Sequence, residues 1–294
     1  MAKNGLFIGM VTLDLIYLSP KLPAQNEKIA ASDYTVSAGG PATNAAVTFG
    51  ALGNRSTILG VLGTHPITQL VRSDVEEYGV TIADLNPTAT QPPPISSIIV
   101  TQGTGDRAVI SMNAAKIQAS SDRVPAGIDT GVDIVMIDGH QMAVSRAIAQ
   151  SAKANHIPVV IDGGSWKPGF DTILPYVDYA ICSANFYPPG CCSCEDVLAY
   201  LVAAGIPHIA ITQGEQPIQY LSLGESGQLP VPQVNIVDTL GAGDIFHGAF
   251  CHYILHHPFT NALKAAANIA AHSCQFFGTR QGLAENSKRK DGEA

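Results

Sequence analysis

The sequence is poor in charge and has no excess of positive charge. Charged residues make up 14% of the 294 residues, against about 25% in an average soluble domain. The 16 Lys and Arg are outnumbered by 24 Asp and Glu, which gives a net charge of −8. A protein that coats nucleic acid or an anionic membrane needs a basic excess to displace counterions. Both classes are therefore excluded, and we expect no nucleic-acid and no membrane partner.

The sequence also lacks an apolar run that could span a bilayer or form a leader. The charge-free segment 245–263 contains four histidines and Pro258, which a bilayer helix would not carry. The apolar segment 5–13 ends at Asp14 with no small-residue cleavage site behind it, so we interpret it as a buried strand. These features predict a cytoplasmic protein.

Cysteine is too scarce for a disulfide scaffold and wrongly spaced for a zinc site. Three of the six cysteines lie at 191, 192 and 194, and no second cluster at zinc-ligand spacing accompanies them. Disulfide-dense secreted domains are shorter and richer in cysteine. We therefore predict reduced thiols without a structural role.

Short apolar runs alternate with helical patterns along most of the chain. Continuous apolar runs are typical of strands buried on both faces. Their alternation with helices predicts a parallel sheet covered by helices on both sides. The predicted strands are 6–11, 56–61, 133–137, 158–161, 179–181 and 209–212. The predicted helices are 41–52, 67–78, 142–155, 195–204, 243–255 and 261–277.

Two regions break this alternation. Residues 27–36 have an extended pattern, and the runs 96–101 and 107–113 flank a glycine-containing hairpin signal at 103–106. Because no helix separates them, we expect a small second sheet built from residues of about 12–36 and 95–113. Such a sheet beside a ligand crevice acts as a lid. The rest of residues 1–285 is predicted to form one domain, followed by a disordered tail at 286–294.

The sharpest motif is the sequence DTLGAGD at residues 238–244, which follows an extended run at 234–237 and opens a helix. Its glycines leave backbone amides exposed at a helix N-terminus, which is an anion site. The carboxylate of Asp244 can accept a hydroxyl proton while these amides stabilise a transferring phosphoryl group. The alternative is an ordinary glycine turn with an acidic residue in the first helical turn.

A second motif, SAGGPATN, occupies residues 37–44 and also joins an extended run to a helix. Gly39 and Gly40 allow a ligand to approach the backbone closely. Asn44, one turn into the helix, offers both a donor and an acceptor to a hydroxyl. The alternative is a glycine turn with Pro41 at the helix start.

Together the two motifs resemble those of the ribokinase/PfkB family of carbohydrate kinases. The elements Gly-Gly-x-x-x-Asn and Asp-Thr-x-Gly-Ala-Gly-Asp stand in the family's order and separation, and the resemblance covers residues 6–282. It implies a three-layer α/β/α fold with a mostly parallel central sheet and a small β-sheet lid. It also implies transfer of the γ-phosphate of ATP to a primary hydroxyl of a small sugar.

The resemblance assigns roles to individual residues. It makes Asp244 the catalytic base and the amides of Gly241, Ala242 and Gly243 the anion hole. The residues that it assigns to the sugar are Asp14, Gly39, Gly40, Asn44 and Asp138. The residues that it assigns to the nucleotide are Arg107, Asn185, Thr212, Gly214 and Asn268.

The chain departs from the family pattern at two places. The family often has Asn-x-x-Glu near the metal and phosphates, whereas this chain has Pro188 three residues after Asn185. Pro217 replaces a further glycine after Gly214. ATP and Mg²⁺ are the implied cofactors, but the first departure leaves the magnesium arrangement open. The sequence does not decide whether K⁺ is used.

The substrate and the assembly also stay open. The runs around Asp138 and Asp162 resemble the ketohexokinase and sulfofructose kinase branch, which suggests a ketose, while sister branches use nucleosides. Homodimers formed through the lid are common among the proteins that the chain resembles. An inert sugar or nucleotide sensor on the same fold is a second hypothesis. A dinucleotide oxidoreductase needs Gly-x-Gly-x-x-Gly after the first strand, and residues 12–14 read Thr-Leu-Asp there instead.

Overall fold

The computed structural model describes residues 1–112 and 117–285. The strands are β1 (Asn4–Ile8), β2 (Thr12–Ser19), β3 (Asp33–Gly39), β4 (Arg55–Gly60), β5 (Val80–Asp84), β6 (Ile95–Thr101), β7 (Arg107–Ser111), β8 (Ile134–Ile137), β9 (Val159–Gly163), β10 (Tyr179–Ser183), β11 (His208–Gln213), β12 (Gln216–Ser222) and β13 (Glu225–Leu229). The helices are α1 (Pro41–Ala51), α2 (Thr68–Glu76), α3 (Met142–Ala154), α4 (Cys194–Ala203), α5 (Ala242–Ile254) and α6 (Phe259–Ser273).

The strands form one large and one small sheet. The nine-stranded sheet has the order β13-β12-β11-β10-β9-β8-β1-β4-β5. Its strands are parallel from β11 to β5, and β12 and β13 add an antiparallel edge. The small sheet has the order β3-β2-β6-β7. The predicted mostly parallel sheet with a separate small sheet is thus confirmed.

Helices cover both faces of the large sheet, because side chains alternate between the faces along each strand. In β1, Phe7 packs into a core with residues of α1, α2, α5 and α6. Its neighbours Leu6 and Ile8 point the other way, into a core with residues of α3 and α4. A strand buried on both faces must be apolar throughout, as β8 is, with all four residues buried. The three-layer α/β/α architecture is confirmed.

The sequence predicted some elements with shifted limits and missed others. The polar strands β5, β12 and β13 were not predicted, and no strand forms at 234–237. In the first extended region the strand begins only at Asp33 and continues through Gly39, so it includes the first residues of the second glycine motif. The last residue of the predicted run 107–113 and the predicted tail at 286–294 lie outside the described residues.

No helix in the described part of the chain is long and apolar enough to cross a membrane.

The contact that positions the two motifs lies between α1 and α5. A Cβ atom on Gly248 would lie 2.2 Å from the carbonyl oxygen of Ala45 and 2.7 Å from the side chain of Thr48. The two helices therefore touch at their backbones, which only glycine permits here. This contact places the first turns of α1 and α5 next to each other, so that Asn44 and Asp244 are neighbours.

We expect Gly248→Leu to destabilise the protein, because an added side chain must push α5 away from α1. Overpacking of this kind costs about 1–3 kcal/mol, which urea denaturation measures. The matched control is Ala143→Leu on the exposed side of α3, which should leave stability nearly unchanged. Equal stability of the two variants would contradict the close helix contact.

Candidate active site

The two glycine motifs meet through one hydrogen bond. The Nδ2 of Asn44 donates to the Oδ2 of Asp244 over 2.8 Å. Each helix starts at a glycine with a positive φ, Gly40 at 101° before α1 and Gly241 at 69° before α5. A Cβ on Gly40 would lie 2.3 Å from the carbonyl oxygen of Met10. Neither N-cap residue makes a side-chain hydrogen bond to its helix, although the amide of Ala42 in α1 donates to Asp138 over 3.2 Å.

Asp244 holds its proton unusually tightly. Burial, followed by the nearby negative charge of Asp162, raises the pKa of its carboxyl from 3.8 to about 7. The hydrogen bond from Asn44 and the charge of His247 act in the opposite direction, and Asp138 adds to the rise. A carboxylate whose pKa lies near neutrality has the basicity that a general base needs at neutral pH.

Arg280, which the sequence analysis missed, fixes Asn44 from the other side. Its Nη1 donates to the Oδ1 of Asn44 over 2.9 Å, and its Nη2 donates to the carbonyl oxygen of Ala38 over 2.6 Å. Asp74 holds the guanidinium through contacts of 2.8 and 3.1 Å. Because a guanidinium only donates and a carboxylate accepts, the orientation of the Asn44 amide is determined. The result is a chain of contacts from Asp74 through Arg280 and Asn44 to Asp244.

Asp14 lies in β2, next to Gly39 of the second glycine motif, and its contact with sugar stays a prediction. Its carboxylate is buried and accepts a hydrogen bond of 2.8 Å from the Oγ1 of Thr12. A Cβ on Gly39 would lie 2.0 Å from its Oδ2, so only glycine fits at that position. Burial raises the pKa of Asp14, while hydrogen bonds from Thr12 and Ser96 and the charge of Arg280 lower it. A polar group that enters beside Gly39 meets this carboxylate.

Asp138 is enclosed by the protein itself. It is 1% exposed, and its oxygens accept from the amides of Met10 at 2.9 Å, Ala42 at 3.2 Å and His140 at 2.8 Å. Burial pushes its pKa up, but the charge and hydrogen bonds of His140 and the amide of Met10 bring it below its ordinary value. The carboxylate thus fastens the loop after β1 to the start of α1. A direct contact between Asp138 and sugar stays a prediction.

Arg107 reaches the DTLGAGD motif from the small sheet. Its Nη1 donates to the Oγ1 of Thr239 over 2.7 Å, two residues before Gly241. The adjoining turn packs equally closely, since a Cβ on Gly105 would lie 2.6 Å from the side chain of Ile236. The hairpin between β6 and β7 therefore rests on the loop that leads into α5, and Arg107 lies beside the N-terminus of this helix.

The amides of the predicted anion hole are not equally free. The amide of Ala242 already donates to the carbonyl oxygen of Thr239 over 3.3 Å. Gly243 is exposed, and no atom lies within 4 Å of the place where its Cβ would be. An anion can therefore approach α5 most closely at Gly243.

Of the remaining predicted nucleotide residues, three lie in or just after β10 and β11, and one lies on α6. Thr212, in β11, pairs with Ser183 of β10, and Asn185 is exposed just after β10. Gly214 follows β11 with a φ of 61° and with open space around it. Asn268 lies exposed on α6. These four roles stay predictions.

The site offers no ready-made metal cage. Within residues 1–112 and 117–285, no group of three or more His, Cys, Asp or Glu side chains could hold a metal ion. Pro188, which takes the place of the family's glutamate, is buried and has no ligand atom in its side chain. These residues suit Mg²⁺ that arrives with nucleotide phosphates, because such an ion needs only one or two protein carboxylates.

This combination of fold and site defines a class, the sugar and nucleoside kinases with a large parallel sheet and a small second sheet. The family model described as pfkB family carbohydrate kinase matches residues 2–286, so the chain belongs to the pfkB family. It is a phosphotransferase with an alcohol group as acceptor, and its family uses ATP with a divalent metal.

The relatives are distant but full-length. The chain is 24% identical to a deoxyribokinase of Salmonella typhimurium, with 93% of each chain covered. It is 23% identical to a ribokinase of Bacillus subtilis, with 96% of each covered. The crystal structure of a putative ribokinase from Agrobacterium tumefaciens matches with a TM-score of 0.86 at 23% identity, and the match covers 100% of this chain and 98% of that one.

We expect Asp244→Asn to be more stable than the wild type at pH 8. A raised carboxyl pKa means that the folded protein binds this proton more tightly than the unfolded chain does. The contribution to stability is therefore complete below pH 3.8 and is lost as the pH rises through about 7. Asparagine carries no ionisable proton, so the variant does not lose stability in this way. Its melting temperature at pH 8 should be roughly 2–6 °C above that of the wild type.

The difference in melting temperature should shrink towards pH 5, where the wild-type carboxyl is protonated. Asp171→Asn, at an exposed carboxylate, is the control and should show no such pH dependence. A melting temperature of Asp244→Asn equal to that of the wild type at both pH values would contradict the perturbed carboxyl.

Proposed function

We propose that the protein is an ATP-dependent sugar kinase that transfers the γ-phosphate to a primary hydroxyl, with Asp244 as the general base. The observation that carries the proposal is a near-neutral carboxyl in the first turn of a helix without a side-chain cap. Asp244 takes the proton from the attacking hydroxyl, and the open amide at Gly243 meets the negative charge of the transferring group. We also propose a cytoplasmic location, which suits a reaction that consumes ATP.

The sugar lies over Gly39 and Gly40, between Asp14 and Asn44. Gly39 and Gly40 let the backbone pack directly against Asp14 and the loop after β1, where a side chain would collide, and the carboxylate of Asp14 thereby lies beside the start of α1. Asn44 can bind Asp244, Arg280 and a sugar hydroxyl at once, because its amide has two N–H donors and two acceptor lone pairs. The chain of contacts through Arg280 thereby fixes the distance and orientation between Asp244, the base, and Asn44, the sugar ligand.

The nucleotide phosphates lie over the N-terminus of α5. Arg107 reaches them from the small sheet, and a guanidinium can bind phosphate oxygens through charge-assisted hydrogen bonds. Mg²⁺, bound to the phosphates, neutralises charge as the γ-phosphoryl group is transferred. The small sheet covers this region as a lid and excludes water, which limits wasteful hydrolysis of ATP. Whether K⁺ binds as well is decided by comparing activity in potassium and sodium buffers.

The phosphoryl acceptor could belong to one of three classes. A ketose is favoured by the likeness of the residues after β8 and β9 to the ketohexokinase and sulfofructose kinase branch. Pentoses are suggested by the relatives named ribokinase and deoxyribokinase, and nucleosides by sister branches of the family. An ADP-release screen over ketoses, pentoses, other aldoses, sulfosugars, sugar acids and nucleosides separates them. ADP release that depends on one acceptor class supports a kinase, whereas folded protein without any such release supports an inert sensor.

We expect Asp244→Asn to lower kcat roughly 10²–10⁴-fold, the usual contribution of a positioned general base, with nearly unchanged KM values for sugar and ATP. In the wild type, kcat/KM should fall below about pH 7 as the carboxyl gains its proton. This acid limb should be absent from the residual activity of the variant. Retention of more than about a tenth of the wild-type kcat would refute the assignment of the base.

We expect Arg107→Ala to lower kcat/KM for ATP by roughly tenfold or more, since charge-assisted hydrogen bonds contribute about 1.5–3 kcal/mol. Arg107→Lys should restore only part of the loss, because lysine lacks the planar fork. The melting temperature should hardly change, since exposed charges contribute little to stability. Arg123→Ala, at another exposed arginine, is the control. Full activity of Arg107→Ala at limiting ATP would show that the arginine does not bind the nucleotide phosphates.

We propose that the outer face of the small sheet forms a homodimer. One face of this sheet packs Ile16, Ile98 and Val100 onto the main body. On the other face, Tyr17 pairs with Tyr34 across β2 and β3, and Ile110 lies opposite Ser97. Tyr34 is 70% and Ile110 is 76% exposed. An apolar sheet face of this kind marks an interaction surface.

A negative charge in this face should separate the subunits. We expect Tyr34→Asp to convert a dimer into a monomer in size-exclusion chromatography with light scattering. Val202→Asp, at an exposed apolar residue of α4, should stay dimeric. A monomeric wild type at micromolar concentration would contradict the proposal.

A further inference from the structure

His247 lies one turn after Asp244 in α5, and its buried ring faces the middle of the large sheet. Its Nδ1 is 2.7 Å from the carbonyl oxygen of Gly243, and its Nε2 is 3.0 Å from the carbonyl oxygen of Ile181 in β10. The same Nε2 is 3.7 Å from the Oδ1 of Asp162 in β9. The histidine side chain is 6% exposed and the aspartate side chain 7%.

Both ring nitrogens of His247 face atoms that can only accept a hydrogen bond. A neutral imidazole carries one N–H, so its other nitrogen would point a lone pair at a carbonyl oxygen. Turning the ring over would put carbon atoms at these places and lose both hydrogen bonds, which is costly for buried carbonyl and imidazole groups. Only a ring with a proton on each nitrogen satisfies both contacts.

A buried positive charge also needs a negative partner, and the surroundings supply it. Asp162 lies at 3.7 Å, and Asp244 interacts electrostatically with both residues. Burial raises the pKa values of the Cys182 and Cys251 thiols, which therefore stay neutral. In the described part of the chain, Asp138, Asp162 and His247 interact electrostatically with Asp244, and the thiols of Cys182 and Cys251 interact with Asp162.

We propose that His247 is a permanently charged positioning residue, an imidazolium that binds the Gly243 and Ile181 carbonyl oxygens and balances the carboxylates of Asp162 and Asp244 beneath the reaction site. The proposal rests on the proposed function where it concerns the base, but the charge of the ring is independent of it. His247 does not touch substrate. It acts through the peptide between Gly243 and Asp244, whose carbonyl it binds, and through its positive charge.

Two consequences follow for the reaction. The imidazolium holds the first turn of α5 against β10, so the Gly243–Asp244 peptide keeps its direction towards the phosphates. Its charge also opposes the repulsion between Asp162 and Asp244, and a larger fraction of Asp244 is therefore deprotonated at neutral pH. A neutral residue at position 247 would leave two carboxylates close together without this compensation.

Nuclear magnetic resonance of the full-length wild type tests the charge without any need for activity. The protein is labelled with ¹⁵N, and the ring signals of His247 are assigned by linking them to the backbone signals of the same residue. Free imidazole in buffer gives the reference shifts of neutral and charged rings. We expect both nitrogens of His247 to be protonated at pH 8, where free imidazole is largely neutral. One protonated and one bare nitrogen at pH 8 would overturn the proposal.

Kinetics test the effect on the base. In His247→Gln, which keeps a hydrogen-bond donor but not the charge, the acid limb of kcat/KM should move to higher pH by about one unit, which is about tenfold in rate on its acid side. His257→Gln, at an exposed histidine, should keep the wild-type profile. A uniform loss of rate in His247→Gln at every pH, without movement of the limb, would show a merely structural residue and overturn the proposal.

The two experiments separate the possible failures. If the protein phosphorylates no acceptor, the proposed function fails while the NMR measurement still decides the charge of His247. If His247→Gln does not fold, the wild-type spectrum alone decides. A neutral ring in an active kinase would overturn the inference and leave the assignment of Asp244 intact.

Discussion

The hydrogen bond from Asn44 to Asp244 joins two motifs that lie 200 residues apart in the chain. It forms because α1 and α5 touch at their backbones beside Gly248. Arg280, from a third segment near the end of the described chain, donates a hydrogen bond to Asn44. The geometry of the site therefore depends on helix packing in the core, and a shift of α5 against α1 would move Asp244 relative to Asn44.

The site concentrates negative charge that folding alone would not favour. Asp244 and Asp162 lie close together under the N-terminus of α5, and burial makes the charged form of Asp244 costly. The hydrogen bond from Asn44, which Arg280 holds in place, and the interaction with His247 act in the opposite direction. This balance explains why a carboxyl with a pKa near neutrality can persist here. Asp244 is thus a residue that is suited to catalysis and that lowers the stability of the fold.

The small sheet combines two tasks in one layer. Its inner face packs Ile16, Ile98 and Val100 onto Leu240 and Phe277 of the main body, and its hairpin brings Arg107 to Thr239. Its outer face exposes Tyr34 and Ile110. Because both faces belong to the same short strands, a partner bound to the outer face would restrain the hairpin that brings Arg107 to Thr239. We therefore expect assembly and closure of the lid to be linked.

The sequence alone determined the parallel sheet, its helices and the two glycine motifs, because apolar periodicity and glycine spacing are local properties. It could not show β5, β12 and β13, whose short polar strands are stabilised by their neighbours in the sheet. Only the tertiary structure decided that Arg280 holds Asn44, that Asp138 is closed off by backbone amides, and that His247 faces two carbonyl oxygens. The reason is physical: each of these facts depends on atoms from distant segments, and burial and charge at a point in space are set by everything that packs around it.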